Sequence, residues 1–161
     1  MARTPTPGPR WLDDTEMAAW RNYIETVHLL RPVLERPLEP FGLDMGDYEV
    51  LVRLSEREGR ELRMCDLAEQ LQLSPSGLTR RLDGLVSAGH VERVPSDDDR
   101  RVMLARLTES GDALLARSAP AHVDSVREHF IDLLTTREVA ALASAFRKVA
   151  AHLADQQTPR P

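Results

Sequence analysis

Between Met64 and Gly111 the chain reads MCDLAEQLQLSPSGLTRRLDGLVSAGHVERVPSDDDRRVMLARLTESG, and no other stretch restricts the fold so tightly. A short helical pattern over 65–72 places Leu67, Ala68 and Leu71 on one face. A break at Leu73–Ser74 leads to a second helix over 75–88, closed by Gly89 just past its end. Two strand-like runs follow, His90–Val94 and Arg101–Leu107, joined by PSDDDR. Helix, turn, helix and β-ribbon in that order is the plan of a winged helix-turn-helix.

Two helices crossing at close range need a small residue at the crossing, and Ala68 supplies it. The second helix must bury one face and offer the other. At about 100° per residue, Leu78, Leu82 and Leu85 share one side within roughly 40°, with Val86 at its edge. Arg80 then points almost directly away, with Ser76 and Gly77 beside it and Thr79 and Arg81 flanking. Arginine can read guanine with two hydrogen bonds, and Ser or Thr can contact bases or phosphates. The N-terminal half of such a helix does the reading, and these residues occupy that half. The helix contribution to a DNA-contact set is therefore Ser74, Ser76, Gly77, Thr79, Arg80 and Arg81.

The ribbon tip, Asp97-Asp98-Asp99-Arg100-Arg101, is at first sight wrong for DNA, because carboxylates near phosphate cost affinity. A D-x-R arrangement resolves this: Asp99 orients Arg101 so that its guanidinium enters the minor groove, while the other acids face solvent. Asp99, Arg100 and Arg101 complete the contact set. The plainer alternatives are a solvated helix face for Arg80 and Arg81, and a surface ion pair worth ~0–1 kcal/mol for Asp99–Arg101.

The flanks are helical. MARTPTPGPR is rich in Pro and Thr and is expected to be a disordered arm, extending over residues 1–12. A helix starting at Asp13–Thr15 carries Met17, Trp20, Ile24, Val27, Leu30 and Leu34 at spacings of three and four, kinks at Pro32 and ends by Pro37 and Pro40. Asp44 is positioned to cap a helix over 45–57 that is apolar nearly all round and therefore central, ended by Gly59. Residues 61–63 read as a short strand. Thr108 caps a long helix to Leu134, bent at Pro120. Thr135 with Glu138 is a capping box for a last helix bearing Val139, Leu142, Phe146, Val149 and Leu153, a heptad seam. That seam could pack inside its own subunit. With the stripe on 17–34, it makes Met17, Trp20, Val139, Leu142, Phe146, Val149 and Leu153 a candidate dimer interface. The tail DQQTPRP is expected to be disordered.

Net charge is −5, which speaks mildly against nucleic acid. Residues 74–107, however, hold six arginines and five acids, so the acidity lies elsewhere. Screening limits its reach to about 8 Å at physiological salt. No apolar run approaches the ~18–20 residues that span a bilayer, and no charged-then-apolar leader is present, so a cytoplasmic location without membrane contact is expected. The five histidines form no tight cluster with Cys or carboxylates, and neither metal nor cofactor is expected. No glycine-rich phosphate loop or nucleophile–base pair points to an enzyme, and no catalytic residue is assigned.

The segments LAEQL, SPSGLTRRLDGLVSAGHVER and DDDRRVMLARLTESG together resemble the winged-helix core of the multiple antibiotic resistance regulator (MarR) family. The likeness extends over about residues 13–155. It implies a mainly α fold with a small β-ribbon, a winged helix-turn-helix core over 44–107 flanked by dimerisation helices over 13–43 and 108–155, all in one domain of 1–161. It also implies an obligate homodimer and a palindromic operator in double-stranded DNA. The regulator is expected to be a repressor released by a small aromatic or carboxylated effector, bound between the dimerisation and DNA-binding parts. Ser76, Thr79 and Arg80 match the base-approaching residues, and Asp99 and Arg101 the wing pair. The family's ligand pocket has no fixed motif. Trp20, Tyr23, His28 and Tyr48 are the ligand candidates, and serve equally well as core.

Two other readings stay open. Cys65 occupies what reads as a helix N-cap, where a thiol can be oxidisable, so a thiol-based redox sensor on the same scaffold is one. Relatives that sense oxidants carry their cysteine in the first helix, and this chain has none there. The other is a protein-docking winged helix that no longer binds DNA, suggested by the net charge and the acidic wing tip.

Overall fold

The computed structural model describes residues 9–157; the beginning of the expected N-terminal arm and the last four residues of the tail lie outside them. Among the described residues, six α-helices and three short strands follow the expected order. Helix α1 spans Asp14–Glu35 and starts from a full capping box, in which the Asp13 side chain accepts the Glu16 N–H and Glu16 returns the bond, both at 2.9 Å. Pro32 lies inside α1, and the helix continues past it into a 3-10 segment, Arg36–Phe41, that contains Pro37 and Pro40. Gly42, at φ +71°, ends that segment in the left-handed region.

Helix α2, Met45–Ser55, is the centre of the molecule, as its all-round apolar pattern predicts. It starts at Asp44, whose carboxylate accepts the Asp47 N–H at 2.8 Å, and it buries Met45, Tyr48, Val50, Leu51 and Leu54. Leu67 and Ala68 of α3 (Met64–Gln70) and Leu78, Leu82 and Leu85 of α4 (Pro75–Ser87) pack into the same core. Gly89 turns α4 off at φ +75°, and the following N–H of His90 reaches back to the Leu85 carbonyl at 2.9 Å.

The strands are β1 (Glu61–Arg63), β2 (Val91–Pro95) and β3 (Met103–Leu107), antiparallel in the order β1-β3-β2. The ribbon is thus β2–β3, and β1 adds a third strand along β3, pairing Leu62 with Ala105. Arg106 of β3 lies opposite both Glu61 and Glu92 and bonds them at 2.7 and 3.5 Å, a charge ladder across the sheet.

Helix α5 (Glu109–His129) is capped by Thr108, whose hydroxyl accepts the Gly111 N–H and donates to the Gly89 carbonyl. Gly111 is required there, since a Cβ would lie 2.1 Å from the His90 carbonyl oxygen. Pro120 sits within α5, but the helix stops short of the expected Leu134. Phe130 leaves helical geometry at φ −141°, and a 3-10 turn, Ile131–Leu133, intervenes. Helix α6, Thr136–Gln157, opens from the Thr135–Glu138 capping box and extends through Asp155–Gln157, so the first three residues of the tail expected to be disordered are helical. Among the residues whose burial is described, neither α1 nor α6 has a buried one.

Candidate nucleic-acid interface

Helix α4 is set on the core by Leu78, Leu82 and Leu85, and Ala68 of α3 is buried in the same core. Its N-terminus is built by Ser74, whose hydroxyl accepts the Gly77 N–H at 3.1 Å and lies 3.2 Å from the Ser76 hydroxyl. Pro75 takes the first helical position, where its missing N–H costs nothing. Thr79 donates its hydroxyl to the Pro75 carbonyl at 3.0 Å. Ser74, Ser76, Thr79 and Arg80 are exposed and Gly77 is half-buried, so these residues share one accessible face opposite the leucines. Arg80 makes no ion pair with any described residue.

Arg81 departs from the expected arrangement. Its guanidinium turns back onto the first turn of α2, where it bonds Asp44 and, at 3.2 Å, Asp47. One residue beyond Arg80 is about 100° around the helix, which brings Arg81 to the flank that meets α2. Burial works to raise the Asp44 carboxyl. Hydrogen bonds from Arg81 and the Asp47 backbone, with the Arg81 charge, outweigh it and hold the group below its ordinary value of 3.8. The bond to Asp44, reinforced by Asp47, likewise holds the guanidinium pKa above its ordinary value.

A second arginine, Arg93 of β2, lies outside the contact set expected from the sequence. It donates to the Thr79 carbonyl at 2.9 Å and to Asp83 at 2.8 Å, tying the ribbon to the reading half of α4. Its Nε is buried without a partner. The signal available was the inward-facing strand position of Arg93 beside a helix carrying Asp83.

The wing tip also differs from expectation. Asp99 accepts the backbone N–H of Arg101 at 2.9 Å, not its guanidinium. It therefore shapes the turn that presents Arg101 and leaves the fork unheld. The Ser96 N–H to Val102 carbonyl bond at 2.8 Å and the Val102 N–H to Asp99 carbonyl bond at 2.9 Å close that turn. Arg100 and Arg101 are exposed, as are Asp97 and Asp98.

The four ligand candidates do not converge. Tyr48 is buried in the core, its ring 4.6 Å from that of His122 on α5, and burial raises its hydroxyl pKa. Trp20, Tyr23 and His28 are exposed on α1. Trp20 and Tyr23 lie 6.0 Å apart, and Tyr23 lies 6.0 Å from Phe146 of α6. Tyr23, Val27, Leu30, Phe130, Leu142 and Phe146 line an apolar groove of about 600 Å³ between α1 and α6, with Asn22 and Thr26 as polar edges. Of the candidate dimer seam, Trp20, Phe146, Val149 and Leu153 are each about half exposed, while Met17, Val139 and Leu142 are partly buried.

Cys65 is exposed in the first turn of α3, but the N-cap is Arg63, so the thiol is not at the cap position expected; it donates to the Asp66 carboxylate at 3.3 Å. Among the described residues no group of three His, Cys or carboxylates could hold a metal, and no helix is long and apolar enough to cross a membrane.

The MarR family model matches residues 43–103, the span from α2 to the start of β3. The crystal structure of AbsC, a MarR family transcriptional regulator from Streptomyces coelicolor, superposes with a TM-score of 0.85 at 46% identity, covering 91% of this chain and 99% of that one. Sco3205, from the same organism and solved in complex with DNA, gives a TM-score of 0.84 at 38% identity over 92% of this chain and 93% of its own. The multiple antibiotic resistance protein MarR of Escherichia coli K12 is 30% identical over 117 residues, 73% of this chain and 80% of that protein. With the three-stranded winged helix, the exposed arginine face and these likenesses together, the chain belongs to the MarR family of winged helix-turn-helix transcriptional regulators.

Proposed function

We propose that this regulator acts in the cytoplasm as a homodimer on a palindromic operator, as a repressor released by a small aromatic or carboxylated effector. The observation that carries the DNA contact is the position of Arg80: exposed, without an ion pair, and flanked by Ser76 and Thr79 on the face of α4 opposite its buried leucines. In this reading α4 enters the major groove and Arg80 reads a base edge, while Arg101 at the tip of the β2–β3 ribbon enters the minor groove. The likeness to Sco3205, solved with DNA, supports the assignment.

Dimerisation is supported by the half-exposed apolar seam of α6 and the facing aromatics of α1. A two-fold dimer would present two copies of α4 to half-sites about one helical turn apart, ~34 Å. The groove beside Tyr23 is within the size range of small-molecule sites, and its Asn22 and Thr26 edges could orient a polar group.

Selection of binding fragments from a randomised duplex pool, followed by a salt titration on the winner, tests the reading. Expected are a two-fold symmetric winning sequence and an affinity that falls steeply with salt, because counterion release is specific to nucleic acid. No enriched sequence and a flat salt response would instead support a winged helix that docks protein.

A further inference from the structure

We propose that Arg81, seated over Gly46 and held by Asp44 and Asp47, is a latch that sets the roll of the recognition helix, so that Arg81 is a positioning residue for base reading by Arg80. This rests on the DNA-reading role proposed above and adds what makes that reading accurate.

Three leucines hold α4 to the core, and apolar contact is non-directional. Such packing restrains the helix against leaving more than against rolling about its axis. With side chains at about 5–6 Å from the axis, a roll of about 20° carries them roughly 2 Å. That exceeds the spread of about 0.5 Å within which a hydrogen bond to a base edge keeps its strength. A directional restraint is therefore needed on the reading half. Arg81 supplies one, since a guanidinium shared between two carboxylates has a preferred plane and distance. The restraint acts one residue from Arg80.

Gly46 shows that this seat is shaped. A Cβ built there would lie 2.7 Å from Arg81 Cζ and 2.8 Å from Nη2. The missing side chain is what lets the guanidinium lie against the first turn of α2. The helix anchors on two sides, because Arg93 holds the Thr79 carbonyl and Asp83 from the ribbon. Losing the α2 anchor would leave the leucines and the Arg93 anchor in place, so α4 would stay folded while its roll relaxed. Arg81 also neutralises one of two carboxylates that stand beside the reading face.

Gly46→Ala separates positioning from stability. Alanine is the better helix residue. It evicts only the far end of a flexible side chain. The experiment measures melting temperature, affinity for a fragment selected by the wild type, and affinity for every single-base variant of that fragment. Wild type, Gly46→Ala and Arg81→Met are compared. Expected is a Gly46→Ala protein that melts at or above the wild-type temperature and keeps its affinity for unrelated DNA. It loses about tenfold on the selected fragment, with base preference flattened at the pair read by Arg80. Arg81→Met flattens the same position. A wild-type preference profile in Gly46→Ala overturns the latch while leaving the DNA reading intact. Failure of the wild type to select any sequence overturns both.

Discussion

The reading half of this chain and the helices at its ends treat apolar surface in opposite ways. Among the described residues, every buried hydrophobic lies between Leu38 and Leu114, and α2, α3, α4 and the sheet share that core. Helices α1 and α6, each of 22 residues, bury none among their described residues, although both carry apolar stripes. The first region fixes its geometry with its own contacts, as a surface that must match DNA requires. The second leaves Trp20, Phe146, Val149 and Leu153 half exposed, apolar surface that the proposed dimer would cover. In the proposed dimer, the core decides the shape of each reading head and the end helices decide the distance between the two.

The largest effects should come from the core. Leu82→Ala removes a fully buried side chain from α4 and is expected to lower stability by about 2–5 kcal/mol in denaturant unfolding. Leu153→Ala should shift the unfolding midpoint only in a manner that depends on protein concentration. A concentration-independent loss as large as that of Leu82→Ala would mean that α6 packs on its own chain, and the contrast would collapse. Next in size is Phe146→Asp, which places a charge in the half-exposed seam. Sedimentation should show the dimer weakened by about 2 kcal/mol or more, roughly 30-fold, with the helix content of the monomer retained. An unchanged association constant would remove α6 from the interface.

Smaller effects test the reading head alone. Arg80→Ala should cost about 1–3 kcal/mol of discrimination at one base pair, and an unaltered base-preference profile would eliminate that contact. Arg101→Ala should weaken operator binding while leaving unfolding within about 0.5 kcal/mol, because the side chain is exposed and unpaired. Gel shifts in which the variant matches wild type would remove the wing from the interface.

What the sequence made legible was local. The caps Asp44, Thr108 and Thr135 and the stop at Gly89 each depend on partners within a few residues, and all are found where the pattern puts them. The face of α4 was equally readable, since helix periodicity alone places Arg80 opposite three leucines. Contacts across the fold were not. Arg81 meets Asp44 across 37 residues, and only the packing of α4 on α2 creates that meeting. The pairing of β1 with β3 joins Glu61 to Arg106 across 45 residues. Tyr48 and Tyr23 look alike in sequence, yet one sits in the core against His122 and the other beside Phe146. Asp99 and Arg101 are neighbours, but a carboxylate two residues back reaches the backbone N–H more readily than a long mobile guanidinium.

The smallest predicted effect asks whether charge adds to the reading head's self-sufficiency. Asp44→Asn keeps an effective N-cap for α2 but removes the charge that holds Arg81. The Asp44 side chain is 43% exposed, so solvent screens the pair and the loss should be about 0.5–1 kcal/mol at neutral pH. The folded-state pKa of Asp44 lies below its ordinary 3.8, so the carboxylate stabilises the fold fully above that value. The contribution is lost as pH falls through the lower, folded-state value. The gap between wild type and Asp44→Asn in urea midpoint should therefore be constant near neutrality and close below 3.8. Glu138 carries a shift of the same sign from its bonds to Thr135, so acid loosens the cap of α6 as well. That loosening is common to both proteins and cancels in the difference. A gap that persists unchanged in acid would mean that the loss does not come from the Asp44 charge, and that Arg81 is held by Asp47.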